Sequence, residues 1–200
     1  QLAVGTVADM LIDLDEAEDT TASSFLMEML TGTPNFMSHY SHIAFQSYYA
    51  HPRMLETLDK LRFDFYRLGK VRESVEDMEP VLRISDFFSF DISAVRQSDA
   101  PANGNASPNG FYGEEACQIA RYAGLSDKLS SIGFYEINPS FDDKNQTANL
   151  VSQIIWYFID GYYNRKQDYP IVDKSEYTKY RVSLKDHDHE IVFYKSNKSD

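Results

Sequence analysis

The chain has 200 residues, 31 acidic against 19 basic, for a formal net charge of −12, with 42% hydrophobic and 14% aromatic side chains. That length suits one domain burying roughly 70% of the surface its unfolded chain exposes, and so many aromatics exclude an acidic disordered chain. The charge argues against nucleic acid and anionic membranes as partners, because both reward clustered Lys and Arg.

The first predicted element is a buried strand over residues 2–8, Leu-Ala-Val-Gly-Thr-Val-Ala. A chain that opens inside such a strand is expected to lack its N-terminal portion. An acidic loop, 13–21, leads to a helix capped by Ser23 or Ser24, with Phe25, Leu26, Met29 and Leu30 on one face and Gly32 at its end. A second strand is predicted at 43–46, a helix from Pro52 to Lys60, a short strand at 63–66 and a short polar helix at 73–79, closed by Pro80. His39 and His42 then fall just before a strand, as ordinary loop or strand-edge histidines.

The segment 86–92 is a further strand, followed by a Ser/Asn/Gly/Ala/Pro-rich loop at 98–110. A helix is expected over 114–122 with Gly124 just past its end, a buried strand over 131–137, and a long helix over 146–163. The apolar residues of that last helix predict burial on much of its girth, with Trp156 and its aromatic neighbours in the core or a subunit interface. The tail, 177–184 and 190–194, reads as an antiparallel hairpin at a sheet edge, with His187 and His189 in its polar turn.

Alternating strands and helices, with several strands apolar on both faces, predict an α/β fold: a three-layer α/β/α sandwich around a mainly parallel sheet. The division is a domain over 1–170 and a hairpin extension over 171–200. No apolar run reaches the roughly 18 residues of a membrane span, and the start has no signal-peptide character. The lone Cys117 rules out an internal disulfide and a thiolate zinc site, and fits a cytoplasmic, reducing compartment. It sits among apolar helix neighbours, as a core thiol does.

Ligands of open parallel sheets collect beyond the carboxyl ends of the strands. Asp9 and Asp13 follow the first strand, Asp91 ends the fourth, and Glu136 ends the fifth. Four carboxylates on one edge repel each other unless a cation, such as Mn²⁺ or a cationic substrate, sits among them. The alternative is that each acid caps its own helix or turn.

A resemblance adds to this. Ser89-Phe90-Asp91-Ile92-Ser93-Ala94, then Ser98-Asp99-Ala100-Pro101 and Pro108-Asn109-Gly110-Phe111-Tyr112-Gly113-Glu114-Glu115, resemble the ureohydrolase superfamily of arginase, agmatinase and formimidoylglutamase. The family pattern there is Ser-x-Asp-x-Asp, then Ala-Pro-Gly, then a Gly-rich turn into a helix. Phe134-Tyr135-Glu136-Ile137-Asn138-Pro139 resembles the strand whose Glu contacts the substrate's amidine or guanidine, and Asp9 to Leu14 falls where the family has Asp-Ala-His-x-Asp.

The resemblance implies an arginase-like fold, a homo-oligomer, and hydrolysis of a linear amidine C–N bond by a hydroxide held between two Mn²⁺ ions. A formimidoylglutamate-like substrate is the best specific expectation. It also implies metal ligands at Asp9, Asp13 and Asp91, and substrate binding at Glu136. Two family ligands are replaced, a His by Leu11 and an Asp by Ser93. One Mn²⁺ or none is therefore expected rather than two. The competing expectation is a catalytically inactive member acting in binding or assembly. Arg96 has two readings as well: a partner for a surface carboxylate, or a fixed positive charge in the pocket that partly neutralises the carboxylate cluster; with a formimidoylglutamate-like substrate, Arg96 or Arg121 could meet its acidic tail.

Overall fold

A computed structural model describes residues 2–11, 25–168, 174–183 and 190–198. Its centre is a five-stranded sheet in the order β3-β2-β1-β4-β5, with every neighbouring pair parallel. The strands are β1 (Leu2–Val7), β2 (Met37–Phe45), β3 (Asp64–Arg67), β4 (Phe87–Asp91) and β5 (Ser131–Tyr135). The helices are α1 (Phe25–Thr31), α2 (Pro52–Lys60), α3 (Leu68–Glu73), α4 (Met78–Arg83), α5 (Gly113–Leu125) and α6 (Gln146–Tyr163).

Successive strand residues point to opposite faces, and two apolar clusters follow from that. On one face Val4, Leu11 and Tyr40 pack with Leu26 of α1 and Met54 and Leu58 of α2. On the other, Val7, Phe88 and Phe90 pack with Leu82 of α4, Ile119 of α5 and Ile154 of α6. The layers are α/β/α, as the alternation predicts.

Local chemistry explains the helix ends. Pro52 opens α2, where its missing N–H is harmless, and the His51 ring accepts from Arg53 N. Glu115 accepts from Tyr112 N at 2.8 Å at the start of α5. The Asp142 carboxylate accepts from Thr147 N and Ala148 N in the first turn of α6.

Several elements differ from the sequence-based expectation. β2 begins at Met37, so His39 and His42 lie inside a strand; alternation of buried and polar residues there hides a strand covered on both sides. Of the proposed α1 face, Leu26 and Leu30 are buried, but Phe25 and Met29 are exposed. The expected 73–79 helix is instead the end of α3, a 3₁₀ turn at Val75–Asp77 and the start of α4, and Pro80 sits in the first turn of α4, where it is tolerated.

Gly124 does not end its helix. It lies within α5 against Gly161 of α6, where a Cβ would stand 2.2 Å from Phe158 O. A small residue is needed because the two backbones touch. α6 is also not buried around its girth. Leu150 and Ile154 face the core, whereas Ile155, Trp156, Ile159, Tyr162 and Tyr163 are exposed.

Finally, the tail does form a hairpin, β6 (Tyr177–Ser183) with β7 (Glu190–Ser196), but as a separate two-stranded sheet and not on the main sheet's edge. The end of the preceding segment is anchored by Arg83, which pairs with Asp168 at 2.7 Å. Arg165 donates to Gly124 O and Leu129 O.

Candidate functional site

β1, β4 and β5 lie side by side, and their register brings three acids to one edge. Val7 stands opposite Phe90, and Asp91 opposite Tyr135. Asp9, Asp91 and Glu136 thus follow the carboxyl ends of three adjacent strands.

Ser93 links two of them. Asp91 ends β4 and caps the tight turn Ile92–Ala94, its Oδ1 accepting from Ser93 N at 2.8 Å. The buried Ser93 hydroxyl then donates to Asp9 Oδ1 at 2.6 Å. Asp9 is fully buried, and among the described residues its Oδ2 has no hydrogen-bond partner. Burial pushes the Asp9 carboxyl above its ordinary value and the Glu136 charge adds to this, while the Ser93 bond works against it. Burial also pushes Asp91 up to about 6, with repulsion from Glu136 and Asp9 in the same direction. Raised values on neighbouring carboxylates are the response of a desolvated, like-charged cluster.

Glu136 is set by the backbone. It leaves β5 in a left-handed conformation, φ 61°, and its carbonyl accepts from Asn103 Nδ2 at 3.0 Å. A non-glycine residue in that region is sterically costly and persists only when its surroundings hold it. Asn103 is itself buried and accepts from Asn105 N, so the 98–110 loop fixes the turn at Glu136.

The remaining candidates are placed differently. Leu11 is buried in the apolar cluster beside α1 and α2, its backbone bonded to Tyr49 and His51. Arg96 pairs through Nε with Asp99 Oδ1 at 2.9 Å, and its guanidinium lies 3.9 Å above the Tyr112 ring. Asp99 in turn accepts from Gly113 N at 2.9 Å. Partial burial opposes its ionisation, but Arg96, the Gly113 N–H and Ser98 outweigh it and hold the carboxyl below its ordinary value. Asp13, His187 and His189 lie outside the described residues. Cys117 is buried, and burial with the nearby Glu114 charge pushes its thiol up, as suits a core thiol.

Two buried polar residues lie beside the site: His42, read from sequence as an ordinary loop or strand-edge histidine, and Gln46, which the sequence did not single out. His42, on β2, donates through Nε2 to Ala8 O at 3.2 Å, and its Nδ1 therefore accepts from Tyr40 OH at 2.9 Å. Burial lowers its value to about 4, leaving a neutral ring one residue from Asp9. Gln46 donates to Asn109 O at 3.0 Å, tying the end of β2 to the long loop. The signal for His42 was the Tyr40/His42 spacing of two, the period of a strand face.

Among the described residues, the donor set does not supply a two-ion centre. Leu11 offers no lone pair and serves the core, and the Ser93 hydroxyl is spent on Asp9. Among the described residues, no three His, Cys, Asp or Glu side chains are grouped to hold a metal ion.

Comparison with known proteins agrees with the fold. The model of the "Arginase family" matches residues 13–160. A formimidoylglutamase of Staphylococcus aureus is 32% identical over 95 residues, 46% of this chain and 30% of that protein. One from Staphylococcus haemolyticus is 28% identical over 90 residues, 45% of this chain and 27% of its own length. The match thus spans under a third of those relatives. Among solved structures, Bacillus subtilis formimidoylglutamase superposes with a TM-score of 0.72 at 17% identity, over 82% of this chain and 54% of its own. Trypanosoma cruzi formiminoglutamase with Mn²⁺ gives 0.73 at 19% identity, over 82% and 57%.

Proposed function

The chain belongs to the arginase family, and from that premise we propose that it is a non-catalytic member, in which a carboxylate–serine cluster stands at the family's metal position. One observation carries this reading. The Ser93 hydroxyl joins Asp9 at 2.6 Å while Leu11 packs into the core, so the two replaced ligands serve the fold. The protein keeps the pocket edge for binding or assembly, as a homo-oligomer. The charge of −12 and the single buried thiol support the same proposal's further terms: a cytoplasmic protein without nucleic-acid or membrane partners. No helix among the described residues is long and apolar enough to cross a membrane.

A second reading is favoured by Asp9 Oδ2, which has no partner among the described residues, because a buried oxygen of this kind calls for a proton or a cation. In that reading Asp9, Asp91 and Asp13 hold a single Mn²⁺ and Glu136 meets an amidine or guanidine, with formimidoylglutamate the best guess from the relatives. Arg96 would have to leave Asp99 to reach an acidic substrate tail.

The test is Mn²⁺ titration by calorimetry, with metal analysis of the purified protein and assay of formamide, urea and ammonia release. The non-catalytic reading expects no stoichiometric Mn²⁺ and no turnover. One tightly bound ion with turnover on formimidoylglutamate, both lost in Asp91→Asn, would establish the second reading instead.

A further inference from the structure

α5 and α6 touch backbone to backbone at Gly124 and Gly161, and toward their N-termini they border a cleft of about 720 Å³. That volume falls within the range of small-ligand sites, ~300–1,000 Å³. The buried Cys117 and Leu150 give the cleft an apolar base. Its walls are polar and follow helical spacing, with Glu114, Gln118 and Arg121 from α5 facing Asn149, Gln153 and Tyr157 from α6. None of these is an expected metal ligand, so the cleft is independent of the Mn²⁺ question at the carboxylate edge.

Three wall groups are left unused by the fold. Gln118 donates to Tyr122 OH, Arg121 pairs with Asp160 at 2.8 Å, and Asp99, at the cleft's end, pairs with Arg96 at 2.9 Å. The side chains of Glu114, Asn149 and Gln153 have no hydrogen-bond or ion-pair partner among the described residues. The cleft therefore presents one uncompensated carboxylate on α5 and two carboxamides on α6. The carboxylate selects a cation, and the field of a chain of net charge −12 reinforces that choice. Each carboxamide offers donors and an acceptor, as a peptide unit does. Asn149 and Gln153 are four residues apart, ~6 Å along the helix. Alternate residues of an extended chain repeat every ~6.4–6.8 Å. The two spacings agree, so both carboxamides meet main-chain groups of a single extended segment. Tyr157, a further turn along, adds an exposed ring for one of its side chains.

We infer that the α5–α6 cleft binds an extended peptide segment carrying Lys or Arg, its charge on Glu114 and its main chain on Asn149 and Gln153. A free polyamine satisfies Glu114 but sets methylene groups against the two carboxamides, whereas a peptide satisfies all three.

Trp156, the chain's one tryptophan, packs edge-on against Tyr157 at 5.2 Å, so its fluorescence reports an occupied cleft. The probe is the capped peptide acetyl-Ala-Arg-Ala-Arg-Ala-amide, titrated into the full chain at physiological salt. A saturable change with a Kd of ~1 mM or tighter is expected. Glu114→Gln should weaken binding by ~10-fold, and the pair Asn149→Ala and Gln153→Ala by a similar factor. All three side chains are exposed, so circular dichroism should stay that of the wild type. The same peptide with Glu in place of Arg should not bind, and spermidine should bind at least ~10-fold more weakly. No saturable change by ~5 mM peptide would overturn the proposal. So would binding that the variants leave untouched, which puts the peptide elsewhere on the acidic surface, and so would equal affinity for spermidine, which reduces the cleft to a cation trap.

Discussion

On the β4–β5 side of the carboxylate edge, backbone and loop interlock. Asp91 caps its own turn, Asn103 holds the Glu136 carbonyl, and Asp99 ties Arg96 to the start of α5. On the β1 side the residues turn inward. Asp9 is fully buried with one oxygen unpaired among the described residues, and Leu11 packs in the apolar cluster under α1 and α2. The contrast teaches which part of the carboxylate edge rests on many contacts and which on few. Close backbone approaches and several side-chain-to-backbone bonds hold the β4–β5 half together, whereas a single packing position or hydrogen bond decides the β1 half.

The largest expected effect comes from breaking the backbone half. At Gly110 a Cβ would stand 2.3 Å from Arg96 N and 2.6 Å from Val95 C. Both are backbone atoms of the opposing segment, paired through Phe111 N to Ala94 O and Arg96 N to Phe111 O. Gly110→Ala should destabilise by about 3 kcal/mol or more, measured by urea unfolding, because the clash can be relieved only by separating those strands. Stability within 1 kcal/mol of wild type, a small fraction of that, would show the loop is not a rigid frame.

The β1 half is challenged by Leu11→His. An imidazole in the cluster of Leu26, Met54 and Leu58 loses apolar contacts and gains an unsatisfied polar group. The expected cost is about 2–4 kcal/mol. Adding Ser93→Asp sharpens the comparison. If the β1 half still has metal-site geometry, Mn²⁺ should raise the melting temperature of the double variant; if Leu11 belongs to the core, Mn²⁺ should leave it unchanged.

Ser93→Ala is milder. It removes the donor to Asp9 Oδ1 and leaves the buried carboxyl without either side-chain partner. A loss of about 1–3 kcal/mol at pH 8 is expected. Ser93→Thr, which keeps the hydroxyl, should recover part of it.

The same contrast explains what was legible in the sequence. The parallel sheet, α2, α6 and the order of the three acids were readable, because strand apolarity, Pro52 and the Asp91-to-Glu136 motifs are local signals. Less legible was anything decided by a distant partner. Gly124 looks like a helix terminator until Gly161 of α6 is brought against it. The outer stripe of α6 looks like core by composition, and only its exposure separates it from Leu150 and Ile154. Asn103 and Gln46 are ordinary polar residues in sequence, and their roles come from carbonyls 33 and 63 residues away. Arg96 could have reached the pocket; the nearby Asp99 and Tyr112 hold it instead.

The smallest effect should be a gain. Asp91 titrates near 6 in the fold against an ordinary 3.8, because burial and then the Glu136 and Asp9 charges disfavour its anion. The native state thus holds that proton more tightly than the unfolded chain, and the associated stability is full below 3.8 and lost as the pH rises through 6. Two pKa units are worth at most ~3 kcal/mol, and an amide accepts the Ser93 N–H less strongly than a carboxylate does. Asp91→Asn should therefore stabilise by about 1 kcal/mol at pH 8 and by nothing at pH 4. His42 runs the opposite way in an overlapping window. Its value of about 4, below 6.5, reflects a ring kept neutral by burial, so its contribution is full above 6.5 and lost as the pH falls toward 4. In the wild type the two slopes oppose each other between pH 4 and 6. The difference between Asp91→Asn and wild type cancels His42 and isolates Asp91. Measured by urea unfolding across pH 4–8, that difference should grow with pH and level off above 7. A flat difference would mean that Asp91 is not strained by its neighbours, and that the β4–β5 side is as relaxed electrostatically as it is tightly built.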